Sequence, residues 1–167
     1  PNALNSGAYL TDYNEVKDVG IAAGSPTNRS QTQTDIALFF ATSNPVAQLP
    51  LALCNYLEAH PIGLERTAAL FATSAAATAD TFIQTWRAKY EYRFWRPFEA
   101  IRAGDLDGND DTVGTDGWTS LVFPNPPYSD YLSGHGSVTS SFAASVRAEL
   151  GDATPLTLAG ATTTRSY

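Results

Sequence analysis

The spacing of apolar side chains predicts a helical protein. After residue 30, apolar positions recur every three or four residues, which places them on one face of an α-helix. The run at residues 36–40 predicts a helix that Ser30, Thr32 or Thr34 is suited to cap. No strand is obvious, so we assign the fold class as all-α.

Proline and glycine mark the limits of the other helices. Pro45 opens a helix over about residues 46–60, and a long helix follows over about residues 64–94. A short turn of helix is expected after Pro97, and a last helix begins near Ser133 and stops at Gly151. We predict residues 1–30 to be mostly loop. A second loop, over about residues 103–132, is long enough to suggest a function.

Composition and charge narrow the functional classes. The chain has 167 residues, of which 43% are hydrophobic and 16% charged, so we expect a single globular domain over residues 1–167. No apolar run approaches the roughly 20 residues of a membrane span. The net charge of −7 argues against nucleic acid as a partner. Five of the ten basic residues nevertheless lie within 16 positions and form either a solvated helix face or a small-anion site: Arg87, Lys89, Arg93, Arg96 and Arg102.

Other residues with reactive side chains are better explained by structure. Cys54 is the only cysteine and lies in an apolar run, so we expect it in the core. His60 precedes a proline at a predicted helix end and is expected to be structural. The acidic loop at residues 105–111 could hold calcium, but Gly108 is misplaced for an EF-hand, so we favour a solvated turn.

Two groups of residues suggest an anion site. Lys89 and Arg96 are seven residues apart, so on a helix they would share one face, and Pro97 turns Arg96 away from helical geometry. An ammonium and a planar guanidinium suit a tetrahedral oxyanion. Ser133 and Gly134 lie where the last helix begins, and helix N-termini attract anions. His135 is suited to acid–base chemistry, although Ser133 could equally be only an N-cap.

The two groups follow one another along the chain, first Lys89 and Arg96 and then residues 133–135. In this order they resemble the motifs of the vanadium-dependent haloperoxidases and the type 2 phosphatidic acid phosphatases, which share a helical-bundle fold. Trp86 and the aromatic loop at residues 126–131 resemble the haloperoxidase branch. Residues 94–105 resemble secreted bacterial members, so the resemblance implies a secreted or periplasmic protein.

The resemblance also implies roles for these residues. Lys89, Arg96, Ser133 and Gly134 would hold the oxygens of vanadate, or of phosphate in the same site, and His135 would be the catalytic acid–base residue. Trp86 and Tyr128 would lie in the halide or substrate pocket, although Tyr128 could equally serve loop packing. The implied reaction is oxidation of halide by hydrogen peroxide. The alternative is an acid phosphatase that acts on phosphomonoesters.

The sequence departs from the family pattern in two places. Leu132 stands where the family usually has proline. The family's third motif, whose histidine ligates vanadate or accepts phosphate, has no counterpart, because no histidine follows His135. We therefore expect a bundle that is incomplete at the C-terminus and no direct metal ligand in this chain. A third hypothesis is a non-catalytic fragment with a residual oxyanion site, whose exposed apolar faces favour an oligomer.

Overall fold

The computed structural model of the protein describes residues 1–160 and 163–166, and the structure there is mostly helical. The all-α prediction is confirmed. In this part of the chain no single helix is long and apolar enough to span a membrane, although the bent pair Gln31–Ala41 and Pro45–Ala59 passes that test by length and composition alone. The helices are α1 (Gly7–Val19), α2 (Gln31–Ala41), α3 (Pro45–Ala59), α4 (Leu64–Tyr92), α5 (Pro97–Arg102) and α6 (Gly134–Leu150).

Local capping interactions place the helix ends near their predicted positions. The Ser30 hydroxyl accepts from the Gln33 amide at 3.2 Å, and the Gln33 side chain accepts from the Ser30 amide at 2.8 Å, which is a capping box. The Asn44 side chain accepts from the Val46 amide at 3.0 Å at the start of α3. Gly151 ends α6 with a φ of 91°, a conformation that favours glycine.

The prediction that residues 1–30 are mostly loop missed α1, which occupies 13 of these residues. Ser6 caps α1 by accepting from the Tyr9 amide at 3.2 Å. Tyr9 and Tyr13 are one helical turn apart and both are buried. Gly20, Gly24 and Pro26, which favour a loop, all lie after the last residue of this helix.

The C-terminal segment contains two short strands, where we predicted none. β1 (Thr157–Ala159) pairs antiparallel with β2 (Thr164–Ser166), and Leu158 is opposite Arg165. Leu158 is buried, and the Gln48 side chain of α3 donates to the Ala159 carbonyl at 2.9 Å. Three-residue strands are too short to show an alternating pattern, which is why the sequence did not reveal them.

The chain divides into two compact units, and the first comprises Pro1–Leu38 and Lys89–Tyr131. The Tyr13 hydroxyl donates to the Val113 carbonyl at 2.8 Å, which ties α1 to the long loop. Burial raises the pKa of the Tyr9 phenol to about 12, so this side chain stays neutral. The buried core of this unit contains Tyr9, Tyr13, Ile101 and Trp118.

The second unit comprises Phe39–Ala88 and Leu132–Tyr167. Its core joins α3 and α6 to β1, and Leu53 is fully buried within it. Cys54 is exposed, so our expectation of a core cysteine is wrong: the next position along the helix is rotated by about 100° from Leu53 and leaves the buried face. The single domain over residues 1–167 stays a prediction. The core includes Phe39, Leu49, Ala52, Leu53, Leu57, Leu70, Val138, Phe142, Val146 and Leu158.

Leu53→Ala should destabilise the protein by about 2–5 kcal/mol, because it leaves a cavity in the core. Leu51→Ala is the matched control, since Leu51 lies on the same helix but is 55% exposed. Its effect should stay below about 1 kcal/mol. The free energy of unfolding in urea tests both, and equal losses from the two variants would contradict this description of the α3 face.

Candidate oxyanion-binding site

Lys89 lies in the last turn of α4 and is only 4% exposed. Its Nζ donates to the Ser129 carbonyl at 3.0 Å and also to the Asp130 carbonyl. Burial lowers the pKa of the Lys89 ammonium, Asp130 opposes this shift, and Arg96 adds to it. Buried ammonium groups need such partners, because removing a charge from water is costly.

Arg96 is not on the helix that carries Lys89. α4 ends at Tyr92, and Arg93 adopts a left-handed conformation with a φ of 46°, which turns the chain. Arg96 itself is extended, with φ −82° and ψ 152°, as the following proline predicts. Our geometric argument that the two cations share a helix face is therefore wrong. The Arg96 amide donates to the Glu99 carboxylate at 2.9 Å, which fixes the start of α5.

Lys89 and Arg96 nevertheless contact the same short segment. Arg96 Nε donates to the Tyr128 carbonyl at 2.7 Å, and Arg96 Nη1 lies 3.7 Å from the Asp130 carboxylate. The Tyr128 ring lies 4.7 Å from the Arg96 guanidinium carbon and 5.4 Å from Lys89 Nζ, within range of cation–π attraction. We refer to Lys89, Arg96 and residues 128–130 as the cation cluster, all of which lies in the first unit.

The Ser133 motif lies at the start of α6, in the second unit. The Ser133 hydroxyl accepts from the Gly136 amide at 3.1 Å, so Ser133 is an N-cap. A Cβ at position 134 would lie 3.4 Å from Cζ3 of Trp86, which is van der Waals contact, so Trp86 packs beside the start of α6. Trp86 in turn stacks on Phe82, with ring centroids 4.7 Å apart.

His135 is exposed and lines a cavity of about 620 Å³ in the second unit. The walls of the cavity are largely apolar and include Phe40, Leu49, Phe142, Val146 and Leu158. The imidazole can therefore exchange protons with solvent while the apolar walls lie beside it. This combination suits an acid–base residue next to an organic molecule.

Two carboxylates of the acidic loop, those of Asp105 and Asp107, accept hydrogen bonds from residues within or just after the loop. The Asp107 carboxylate accepts from the Thr112 hydroxyl at 2.7 Å and from the Asn109 amide at 2.8 Å. The Asp105 carboxylate accepts from the Gly114 amide at 3.0 Å. Among residues 1–160 and 163–166, no group of three His, Cys, Asp or Glu side chains is placed to hold a metal ion. The calcium alternative thus gains no support from the described loop.

The sequence did not identify Asp130 as part of the cation cluster. Its carboxylate neighbours Arg96, and its backbone contacts both Lys89 and Phe94. The available signal was a lone carboxylate among the aromatic and proline residues at 126–131. That signal is too common to indicate a contact by itself.

Comparison with known proteins identifies the family. The model of the VCPO second helical-bundle domain matches residues 69–166, which include both motifs. Vanadium chloroperoxidase from Curvularia inaequalis is 29% identical over 167 aligned positions, which cover 82% of this chain. The chain spans only 27% of the length of that relative, and no solved structure matches. Since the family model covers more than half of the chain, the chain belongs to the VCPO second helical-bundle domain family, within the vanadium haloperoxidase superfamily.

Proposed function

We propose that the chain supplies the oxyanion-binding part of a vanadate-dependent haloperoxidase, which oxidises halide with hydrogen peroxide. The observation that carries the proposal is the cation cluster: a buried lysine and an arginine contact one segment in a chain of this family. Stability alone gives little reason to bury an ammonium, because a well-packed apolar side chain usually stabilises the folded protein equally well. An anion-binding role gives a reason to keep it.

The chemistry of the donors fits vanadate or phosphate. Lys89 supplies an ammonium, and Arg96 a guanidinium whose Nε is already fixed by the Tyr128 carbonyl. With Nε fixed, the rest of the guanidinium is held in one orientation, as bidentate binding of an oxyanion requires. We propose that Ser133, Gly134 and His135 also have oxyanion-binding roles. The order of the motifs in the chain and the positive end of the α6 dipole support this proposal.

Each group has a distinct task in this proposal. Vanadate, when bound, activates hydrogen peroxide towards attack by halide. Lys89 and Arg96 neutralise negative charge on the bound oxyanion, and fixed donors do this without reorganising. His135 is exposed and is proposed to be the acid–base residue. Trp86 and Tyr128 are proposed to line the halide or substrate pocket.

The 167-residue chain by itself should bind an oxyanion weakly and turn over little or no halide, because no histidine follows His135 in these residues to supply the vanadate ligand of the family's third motif. A bromination assay with vanadate, hydrogen peroxide and bromide tests this expectation. Sustained turnover by the isolated chain would show that the downstream histidine is not required. Phosphomonoester hydrolysis in a parallel assay would favour the phosphatase alternative instead.

Phosphate binding should weaken at high pH, because it requires the protonated Lys89 ammonium. Burial lowers the pKa of Lys89 from 10.5, so binding should be lost below the ordinary lysine range as the pH rises. Isothermal titration with phosphate, over pH values at which phosphate stays a dianion, measures this dependence. Lys89→Arg should bind with little pH dependence, since a guanidinium stays charged. A flat profile for the unaltered chain would contradict a role for Lys89 in binding.

Substitutions at Ser133 should separate its role as a cap from its role as a ligand. Ser133→Asp keeps a good N-cap and should change the free energy of unfolding by less than about 0.5 kcal/mol. It adds a negative charge, so phosphate affinity should fall by about tenfold or more. Ser133→Ala should lose about 1 kcal/mol of stability through the lost cap. If Ser133→Asp leaves phosphate affinity unchanged, Ser133 is only a cap.

A further inference from the structure

We infer that the Asp130 carboxylate determines the specificity of the cation cluster for the charge of its ligand: it weakens binding of doubly charged oxyanions relative to singly charged ones. This inference rests on the proposed function, because it concerns the same oxyanion site. The Asp130 carboxylate lies 3.7 Å from the Arg96 guanidinium, whereas the Glu99 carboxylate accepts from the Arg96 backbone amide.

The backbone of Asp130, not its carboxylate, holds the geometry of the cluster. The Asp130 amide donates to the Phe94 carbonyl at 2.9 Å, and its carbonyl accepts from Lys89 Nζ. The carboxylate oxygen lies 3.7 Å from Arg96 Nη1, which is too far for a hydrogen bond. Arg96 is oriented instead by the 2.7 Å hydrogen bond from its Nε to the Tyr128 carbonyl. Removing the carboxylate charge should therefore leave both cations in place.

The charge of Asp130 acts directly on the cations that would hold a ligand. Lys89 and Arg96 together carry two positive charges, and one carboxylate beside them halves the net charge of the cluster. Their side chains differ in exposure, since that of Arg96 is 15% exposed and that of Asp130 is 40% exposed. Partial exposure screens the carboxylate, so its effect on an incoming anion should be a few-fold change in affinity.

The Coulomb energy between Asp130 and a ligand is proportional to the charge of the ligand. A tetrahedral dianion such as sulfate should therefore be disfavoured about twice as strongly, in free energy, as a tetrahedral monoanion such as perchlorate. Both ions have the same shape and neither titrates in the usable pH range, so they differ mainly in charge. Their comparison isolates the electrostatic effect of Asp130.

The test compares Asp130→Asn with the unaltered chain, at slightly acidic pH where Lys89 is protonated. Phosphate binding is measured by titration calorimetry, and sulfate and perchlorate by competition against phosphate. We expect sulfate affinity to rise by roughly three- to tenfold, and perchlorate affinity to rise by about the square root of that factor. The gain should shrink as sodium chloride is added, because salt screens exposed charges.

Asp110→Asn is the matched control, since it removes an equal charge from an exposed position in the same unit. Asp110→Asn should change the affinities for sulfate and perchlorate much less than Asp130→Asn does. Weaker or unchanged sulfate binding by Asp130→Asn would overturn the inference, and weaker binding would show that the carboxylate positions Arg96. Equal gains for sulfate and perchlorate would overturn it as well. If neither the unaltered chain nor the variant binds phosphate, the proposed function itself fails.

Discussion

The burial of one ammonium group constrains the whole candidate site. Lys89 is almost entirely removed from water, and a charge in that position is tolerated only with well-placed acceptors. The carbonyls of Ser129 and Asp130 supply them. These carbonyls must be held in place, which the hydrogen bond from the Asp130 amide to the Phe94 carbonyl achieves. The long loop is thus fixed at the point where it meets Lys89.

The same constraint explains why α4 ends where it does. If the helix continued beyond Tyr92, the next residues would stay in its hydrogen-bonded ladder, and the Phe94 carbonyl would not be available to the loop. The left-handed Arg93 ends the ladder and lets the chain extend up to the proline that follows Arg96. A non-glycine residue in this conformation is uncommon and costs some free energy. The turn makes possible the hydrogen bond between the Asp130 amide and the Phe94 carbonyl, which offsets that cost.

The sequence predicted those parts of the fold that depend on local interactions. Ser30, Asn44 and Ser133 cap helices because their side chains reach backbone amides two or three residues away, and such signals are visible in a single sequence. The helix around Tyr9 and Tyr13 was missed because its apolar face is narrow and glycines flank it. The hairpin of β1 and β2 was missed because its stability comes from packing against α3, which no local pattern reveals.

For the candidate site, residue types could be predicted but contacts could not. Lys89 and Arg96 were identified from their order and chemistry, and the helical geometry that seemed to join them is absent. They meet because a segment 32 residues beyond Arg96 accepts hydrogen bonds from both. Such long-range closure depends on the fold of the loop, so Asp130 could not be found from its neighbours in sequence.

The orientation of the two cations supports the proposed anion-binding role. Both cations are oriented by backbone carbonyls, which fix their direction without adding a negative charge of their own. The Asp130 carboxylate lies 3.7 Å from Arg96 Nη1, beyond hydrogen-bond distance, so the orientation of the guanidinium depends on the Tyr128 carbonyl. Donors that are already oriented need little reorganisation when an anion arrives, and this preorganisation is what a site for a charged oxyanion requires.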